Sequence, residues 1–308
     1  MALESQIIQL LFAGITVGSI YALIALGFVV IYNVTGIINF AQGEFAMLGA
    51  MITVTLSENT SIFNRVLKVS LNWPLPVAIV VAVFIVTLIG ILLYQFTIRP
   101  AKGASVVSLI IITIGASIAL RGLALITWGT DPFRLPNFTT GAPIQFLGAY
   151  FILQNLWVIG TAAVVLIGLF LFFERTMIGK ALRACSINKI AARLMGIDIN
   201  RMAMFSFALS AAIGAISGIV ITPSTFMAYD SGELLGLKGF VAAIMGGMNS
   251  AVGAVIGGLA LGILESLGAG FISSGYKDAI AFIMLFAILA ARLSGLLGQG
   301  AKQQESGL

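Results

Sequence analysis

Residues 177–201 read MIGKALRACSINKIAARLMGIDINR. This is the only long charged stretch between hydrophobic runs, with Lys180, Arg183, Lys189, Arg193 and Arg201 against one acid, Asp198. Within it, Ile187, Ile190, Ala191, Leu194 and Met195 recur at i, i+3, i+4, i+7 and i+8. That spacing predicts a short helix over 187–195 with one apolar stripe. Ser186 stands where an N-cap is needed, and Gly196 where a left-handed turn would close the helix. Lys189 and Arg193 are four apart and share the opposite face. Such a helix is too short to cross a bilayer, which takes ~20 residues. It is also below the ~12–15 residues at which an isolated helix holds in water. It needs a surface to dock on, either the membrane itself or a groove on a partner protein.

The rest of the chain sets the class. Of 308 residues, 60% are hydrophobic and only 9% charged, and the mean hydropathy is +1.11. A soluble domain carries about 25% charged residues, and no soluble fold could cover this much apolar surface. The apolar runs are longer than barrel strands and lack period-two alternation, so an all-α, polytopic membrane helix bundle is expected. The net charge of +5 comes from cations in short loops beside the runs, which is the pattern of membrane orientation rather than of nucleic-acid binding. Cys185 is the single cysteine and there is no histidine. That removes intrachain disulfides, cysteine metal clusters and the commonest proton relay. The N-terminus lacks a basic n-region and a small-residue cleavage site, so Met1 onward is expected to be mature protein.

Eight hydrophobic segments lie at roughly 6–32, 38–56, 74–98, 105–128, 155–174, 202–223, 237–269 and 276–294. The segment 237–269 is too long for one span and is interrupted by GlyGlyMetAsnSer at 246–250. A half-helix, a break and a second helix are expected, with the break at membrane depth lining a cavity or buried in protein. Glycines spaced GxxxG occur at Gly14–Gly18, Gly214–Gly218, Gly253–Gly257 and Gly258–Gly262, a spacing that lets helix backbones approach closely in lipid.

Basic residues give the orientation. The loop 175–201, the loop 99–104 with Arg99 and Lys102, and the tail with Arg292 and Lys302 are expected on the cytoplasmic side. The loop 129–154, with Pro132, Pro136, Gly141 and Pro143, is expected outside and irregular. Arg65 and Lys68 in the outer loop 57–73 run against the rule. If 237–249 only dips into the bilayer, the N-terminus is external and the C-terminus cytoplasmic.

Polar groups within the apolar runs mark the second informative stretch, GIINFAQGEFAMLG at 36–49. Asn39, Gln42 and Glu44 fall in or beside a hydrophobic segment with Gly36 and Gly43 next to them. A carboxylate at mid-bilayer costs a few kcal/mol, so it faces a bundle interior and serves a function. Alternatively, Glu44 is a hydrated helix-start residue at the interface, where the helix dipole favours negative charge. Glu265 and Arg121 pose the same question in later segments, and a pair between them is one arrangement.

These motifs together resemble the permease subunits of branched-chain amino acid ABC importers, the shorter of the two paired types. The resemblance rests on GITVGSIYALIALGFVVIYNVTGIINFAQGEFAMLGA at 14–50, with the Asn-Phe-Ala-His/Gln-Gly-Glu run at Asn39–Glu44. It continues through IRPAKGAS at 98–105, GKALRACSINKIAARLMGI at 179–197 and MGGMNSAVGAVIGGLALGILES at 245–266. Gln42 stands where the family commonly has histidine, which counts against a titrating role there. The resemblance implies one permease domain over 1–308 in the inner membrane. The implied partners are a second homologous permease, two cytoplasmic ATPases that bind the ATP, and an extracytoplasmic binding protein. It implies that the loop 175–201 couples to the ATPase through Ile187, Lys189, Ile190, Ala191, Arg193, Leu194 and Gly196. With the clustering of polar groups between glycines, it makes Asn39, Gln42, Gly43 and Glu44 the expected lining of the translocation path, and Glu265 is a further candidate from its place in an apolar segment. The chain itself has no phosphate-binding GxxxxGK[ST] loop, so no catalytic residue, cofactor or metal is expected in it.

Urea, amides or other small polar solutes are alternative substrates. A stand-alone secondary transporter or channel would need several intramembrane acids or histidines, and a membrane enzyme would need clustered catalytic groups. The sequence offers neither set.

Overall fold

The computed structural model describes residues 3–57, 72–101, 103–146, 148–284, 286–287 and 290. The expected contributions of Arg65, Lys68, Lys102, Arg292 and Lys302 lie outside the described residues. The helices are α1 (Leu3–Thr35), α2 (Gln42–Ser57), α3 (Leu75–Leu93), α4 (Val106–Trp128) and α5 (Leu153–Arg175). They continue as α6 (Met177–Ile187), α7 (Lys189–Leu194), α8 (Ile199–Ile221), α9 (Ser231–Gly246) and α10 (Ala251–Phe271). A π-turn at Tyr94–Ile98 extends α3, and a 3-10 turn at Ser274–Tyr276 leads into a helical stretch at 277–284. Among the described residues, six helices are long and apolar enough to span a membrane: α1, α3 with its extension, α4, α5, α8 and α10.

The bundle is built around α1. Its sequence is apolar on all sides, and it is buried without interruption from Gly18 to Ile31, as expected of a helix surrounded by others. Helices α8, α9, α10 and α5 pack around it. The glycine pairs fix the closest contacts. A Cβ on Gly262 would collide with the Gly18 backbone, and one on Gly258 with Ala22. On the other flank a Cβ on Gly218 would collide with the Ala46 carbonyl of α2. Helices α3, α4 and α5 are peripheral; α4 buries only Thr113, Ser117 and Ala124, and turns Val107, Ile111, Ile118 and Ile126 outward.

Two ends of the bundle are distinct. At one, the loop 129–152 forms a small hairpin of β1 (Ile144–Phe146) and β2 (Ala149–Phe151) rather than being wholly irregular. Its Phe151 ring stacks 4.1 Å from Phe12 of α1, and Phe133 bridges to Met227 beyond α8. At the other end, α6 and α7 lie beside the last turns of α1, around a core of Val34, Leu182, Cys185, Ala192 and Met202.

Three expectations are corrected. The helix expected over 187–195 is broken at Asn188: Ile187 ends α6, and α7 spans only Lys189–Leu194. Asn188, not Ser186, is the cap, accepting from the Ile190 and Ala191 amides at 2.9 and 3.0 Å. Ser186 instead donates to the Arg183 carbonyl within α6. Asn is as good an N-cap as Ser, and the apolar periodicity does not register a one-residue break.

The segment 38–56 is also not helical throughout. Residues 37–41 are extended or turn, with Ile37, Asn39 and Ala41 buried, before α2 begins at Gln42. Non-helical backbone of this kind is tolerated where protein surrounds it. Finally, the interruption at 247–250 lies at the α6 end of the bundle, beside the last turns of α1, rather than midway along it. There a crevice of about 370 Å³ is lined by Asn33, Leu182, Arg183, Ser186, Asn249 and Ser250 among others. Helix α9 starts at Ser231, ahead of the hydrophobic run, and its sixteen residues cover ~24 Å of rise, most of the way across.

Candidate translocation and docking sites

The buried polar stretch before α2 meets one face of α4. Thr113, Ser117 and Arg121 are spaced i, i+4, i+8 and so share a stripe. Thr113 Oγ1 receives the Phe40 amide at 3.3 Å and lies 3.2 Å from the Ile38 carbonyl. Ser117 Oγ donates to Glu44 Oε1 at 2.8 Å. Arg121 Nε lies 4.0 Å from the same oxygen, and its Nη1 pairs with Glu233 in the first turn of α9. Glu44 is 1% exposed, so it is a buried carboxylate and not a hydrated helix-start residue. Its Oε2 and the Asn39 Nδ2 have no hydrogen-bond partner. Gly43 and Gly232 let α9 pack directly against this group: a Cβ on Gly232 would strike Glu44 Oε2, and one on Gly43 the Gly232 carbonyl.

Gln42 sits two residues before Glu44 but is spent on packing. Its Nε2 donates to the Ser210 carbonyl at 3.1 Å, and its Oε1 meets Ser210 Oγ, which also reaches the Gly27 carbonyl at 2.8 Å. This joins α1, α2 and α8. Glu265 is brought neither to Glu44 nor to Arg121. It lies in a separate buried network with Tyr21 Oη at 2.7 Å and Lys238 Nζ at 3.0 Å. Lys238 also reaches Asp278 at 2.7 Å.

Sequence reading passed over Lys238, Glu233 and Ser117. A lysine inside LGLKGFVAAI was a visible signal, because a lone cation in an apolar run demands a partner. Ser117 carried none, since serine is common in membrane helices and only its neighbour across the bundle gives it a role.

The corner of α6 and α7 presents Ile187, Ile190, Leu194 and Met195 at 76–83% exposure, an outward apolar patch. Ala191, Lys189 and Arg193 are exposed as well. The corner is fixed by caps: Thr176 Oγ1 accepts from the Gly179 amide, and Asp198 caps α8. Gly196 adopts φ 84°, and the Ile197 and Gly196 amides bond to the Ala192 and Arg193 carbonyls at 3.1 and 3.0 Å. That is a Schellman closure, and the left-handed turn expected at Gly196 is present. Lys189 Nζ does not stand free but donates to the Thr35 carbonyl at 2.8 Å. Cys185 is buried beneath the corner, and burial pushes its thiol pKa up, with the nearby Lys189 charge opposing.

Comparison with known proteins agrees with this architecture. Residues 10–289 match the family model described as "Branched-chain amino acid transport system / permease component". The chain is 31% identical over 306 residues to the high-affinity branched-chain amino acid transport system permease protein LivH of Escherichia coli (strain K12), covering 95% of this chain and 96% of that one. It is 32% identical over 307 residues to the corresponding protein BraD of Pseudomonas aeruginosa, covering 95% and 96%. It is 30% identical over 308 residues to the probable branched-chain amino acid transport permease LivH of Methanocaldococcus jannaschii, covering 94% and 92%. With a helical membrane bundle, a buried polar stripe and near full-length similarity, the chain belongs to the branched-chain amino acid transport system permease family.

Proposed function

We propose that this chain is the membrane permease subunit of an ATP-driven importer of branched-chain or other hydrophobic amino acids, working with a second permease, two ATPases and a delivering binding protein. Supporting this, the α6–α7 corner offers four large apolar side chains with no partner surface among the described residues. A docked amphipathic helix uses such anchors. The corner leans on α1, the central helix, so a push on it reaches the core of the bundle. The loop 175–201 faces the cytoplasm under this proposal, and the hairpin end faces the binding protein. The N-terminal part of α2 with Asn39 and Glu44 lines the path.

The test is uptake of labelled leucine, phenylalanine, glutamate and urea in a strain deleted for the gene. Leucine or phenylalanine uptake restored by the gene is the expected result, and restored urea uptake alone would replace the substrate class. Asn39→Leu and Glu44→Leu should each lower uptake while the subunits still assemble; wild-type uptake by both would remove this stretch from the path.

A further inference from the structure

We propose that the crevice between α1, α5, α6 and α10 binds an anionic phospholipid, with the phosphate at Arg183 and the acyl chains leading out along the bundle. This goes beyond amino-acid import and takes from it only the orientation, which puts this end of the bundle in the cytoplasmic leaflet. Four observations carry it.

The crevice holds about 370 Å³, within the ~300–1,000 Å³ of small-molecule sites. It opens where three spans end: α1 stops at Thr35, α5 stops at Arg175 and α10 begins at Ala251. The ends of spans lie at the level of lipid headgroups. Next, its lining is amphipathic. Asn33, Arg183, Ser186, Asn249 and Ser250 supply the polar part, and Val29 and Val30 lie about one turn, ~6 Å, farther in along α1. Phe173 and Leu182 add to the apolar wall. Third, Arg183 is the one charged side chain among the described residues that line it, and no carboxylate does. One Arg183 nitrogen holds Glu174 at 2.8 Å, but a guanidinium has five N–H donors, so others remain for an anion. Asn33 Nδ2 reaches the Asn249 carbonyl only at 3.5 Å, and Ala251 and Val252 in the first turn of α10 also line the crevice, where helix amides lack intrahelical acceptors. Fourth, the two spans that wall it turn large apolar side chains outward: Val164, Ile167 and Phe170 on α5, Val252 and Ile256 on α10.

Charge and shape select the ligand. From Glu174 to Ser186 the chain carries three cations, Arg175, Lys180 and Arg183, against the single acid Glu174, so the surroundings favour an anion. A free phosphate would satisfy Arg183 and leave the Val29–Val30 end unfilled. A zwitterionic lipid would bring an ammonium to a place already in cationic excess. A phosphodiester with acyl chains and no ammonium, as in phosphatidylglycerol, fills both parts. Arginine pairs with phosphate oxygens two at a time, and basic pockets between spans at the cytoplasmic side take such headgroups. Because Arg183 stands on α6, a bound headgroup would tie the base of the docking corner to α1 and α10.

The experiment uses the transporter assembled with its partner subunits and purified in detergent. Retention of phosphatidylglycerol and of phosphatidylcholine with the same acyl chains is measured by native mass spectrometry. The wild type should retain phosphatidylglycerol about fivefold or more over phosphatidylcholine. Arg183→Gln should lose most of that preference. Ser186→Trp, which fills the crevice while keeping the charge, should lose it as well. Lys180→Gln removes a neighbouring cation that does not line the crevice and should keep it. Equal retention of the two lipids by the wild type overturns the proposal and leaves the crevice to a partner subunit or to water. Equal losses in Lys180→Gln and Arg183→Gln overturn it in favour of diffuse surface charge. Displacement of phosphatidylglycerol by millimolar inorganic phosphate overturns it in favour of a free anion. If Arg183→Gln fails to assemble, the wild-type preference and the Ser186→Trp and Lys180→Gln variants decide. None of these readouts involves an amino acid, so their failure leaves leucine import untouched, and a wild type without leucine import would leave the lipid site standing.

Discussion

Lys189 Nζ donates to the main-chain carbonyl of Thr35 at 2.8 Å, joining the first residue of α7 to the last of α1. The carbonyls ending a helix carry partial negative charge and lack intrahelical donors, so a cation there is well placed. The bond ties the outward corner to the most buried helix of the bundle. Lys189→Leu should leave the apolar patch in place while loosening this tie. ATPase co-purification should be near wild type, with substrate-stimulated ATP hydrolysis in liposomes reduced severalfold. Unchanged stimulation would mean that force reaches the bundle by another contact.

Leu194→Asp tests the patch itself. Burying one aliphatic side chain is worth roughly 1.5–3 kcal/mol, and 1.4 kcal/mol is about tenfold in affinity. The aspartate should weaken ATPase association by about tenfold or more, read by co-purification or titration. Full binding with full coupling would make the corner a surface-resting loop.

Gly196→Val tests the closure of α7. The position has φ 84°, and nothing lies within 4 Å of a Cβ there. The effect is therefore one of backbone strain and not of collision. A β-branched residue in this region costs on the order of 1–3 kcal/mol, enough to redirect the chain entering α8. Uptake should fall while bound ATPase persists. Gly196→Asn, which tolerates the left-handed region better, should be milder.

The Lys238–Glu265 pair predicts a rescue. Lys238→Met leaves Glu265 buried without its cation, which for buried pairs costs about 3–5 kcal/mol. The thermal midpoint of the purified complex should drop. Adding Glu265→Gln removes the stranded charge while keeping an acceptor for Tyr21, so the double variant should recover much of the loss. Additive losses would show that the two residues act independently.

Cys185 reports on the corner. It is 1% exposed, and its thiol pKa is raised by burial, so at pH 8 the thiolate fraction is below that of a free cysteine. Maleimide labelling should be slow in the isolated chain and accelerate when Lys189→Leu frees α7. Ser186→Cys, exposed on the same helix, should label readily in a Cys185→Ala background, but in intact cells only with a membrane-permeant reagent. Labelling there by an impermeant reagent would reverse the orientation.

The class of this protein follows from composition alone, because a chain this apolar has no other solvent than lipid. Local signals carried further: the capping of Gly196 and the break after Gly246 are properties of a few adjacent residues. The GxxxG pairs marked close helix contacts without saying with what. Partners across the bundle were decided only in three dimensions. Nothing near Glu44 in sequence indicates Ser117, Arg121 or Glu233, which lie on α4 and α9. Nothing near Glu265 excludes Arg121 in favour of Lys238. Periodicity averages over turns, so the one-residue cap at Asn188 vanished within an apolar stripe that continues across it. The central place of α1 was equally silent, since a helix that is apolar on every face faces lipid or protein equally well, and only the packing of α8, α9 and α10 around it settles which.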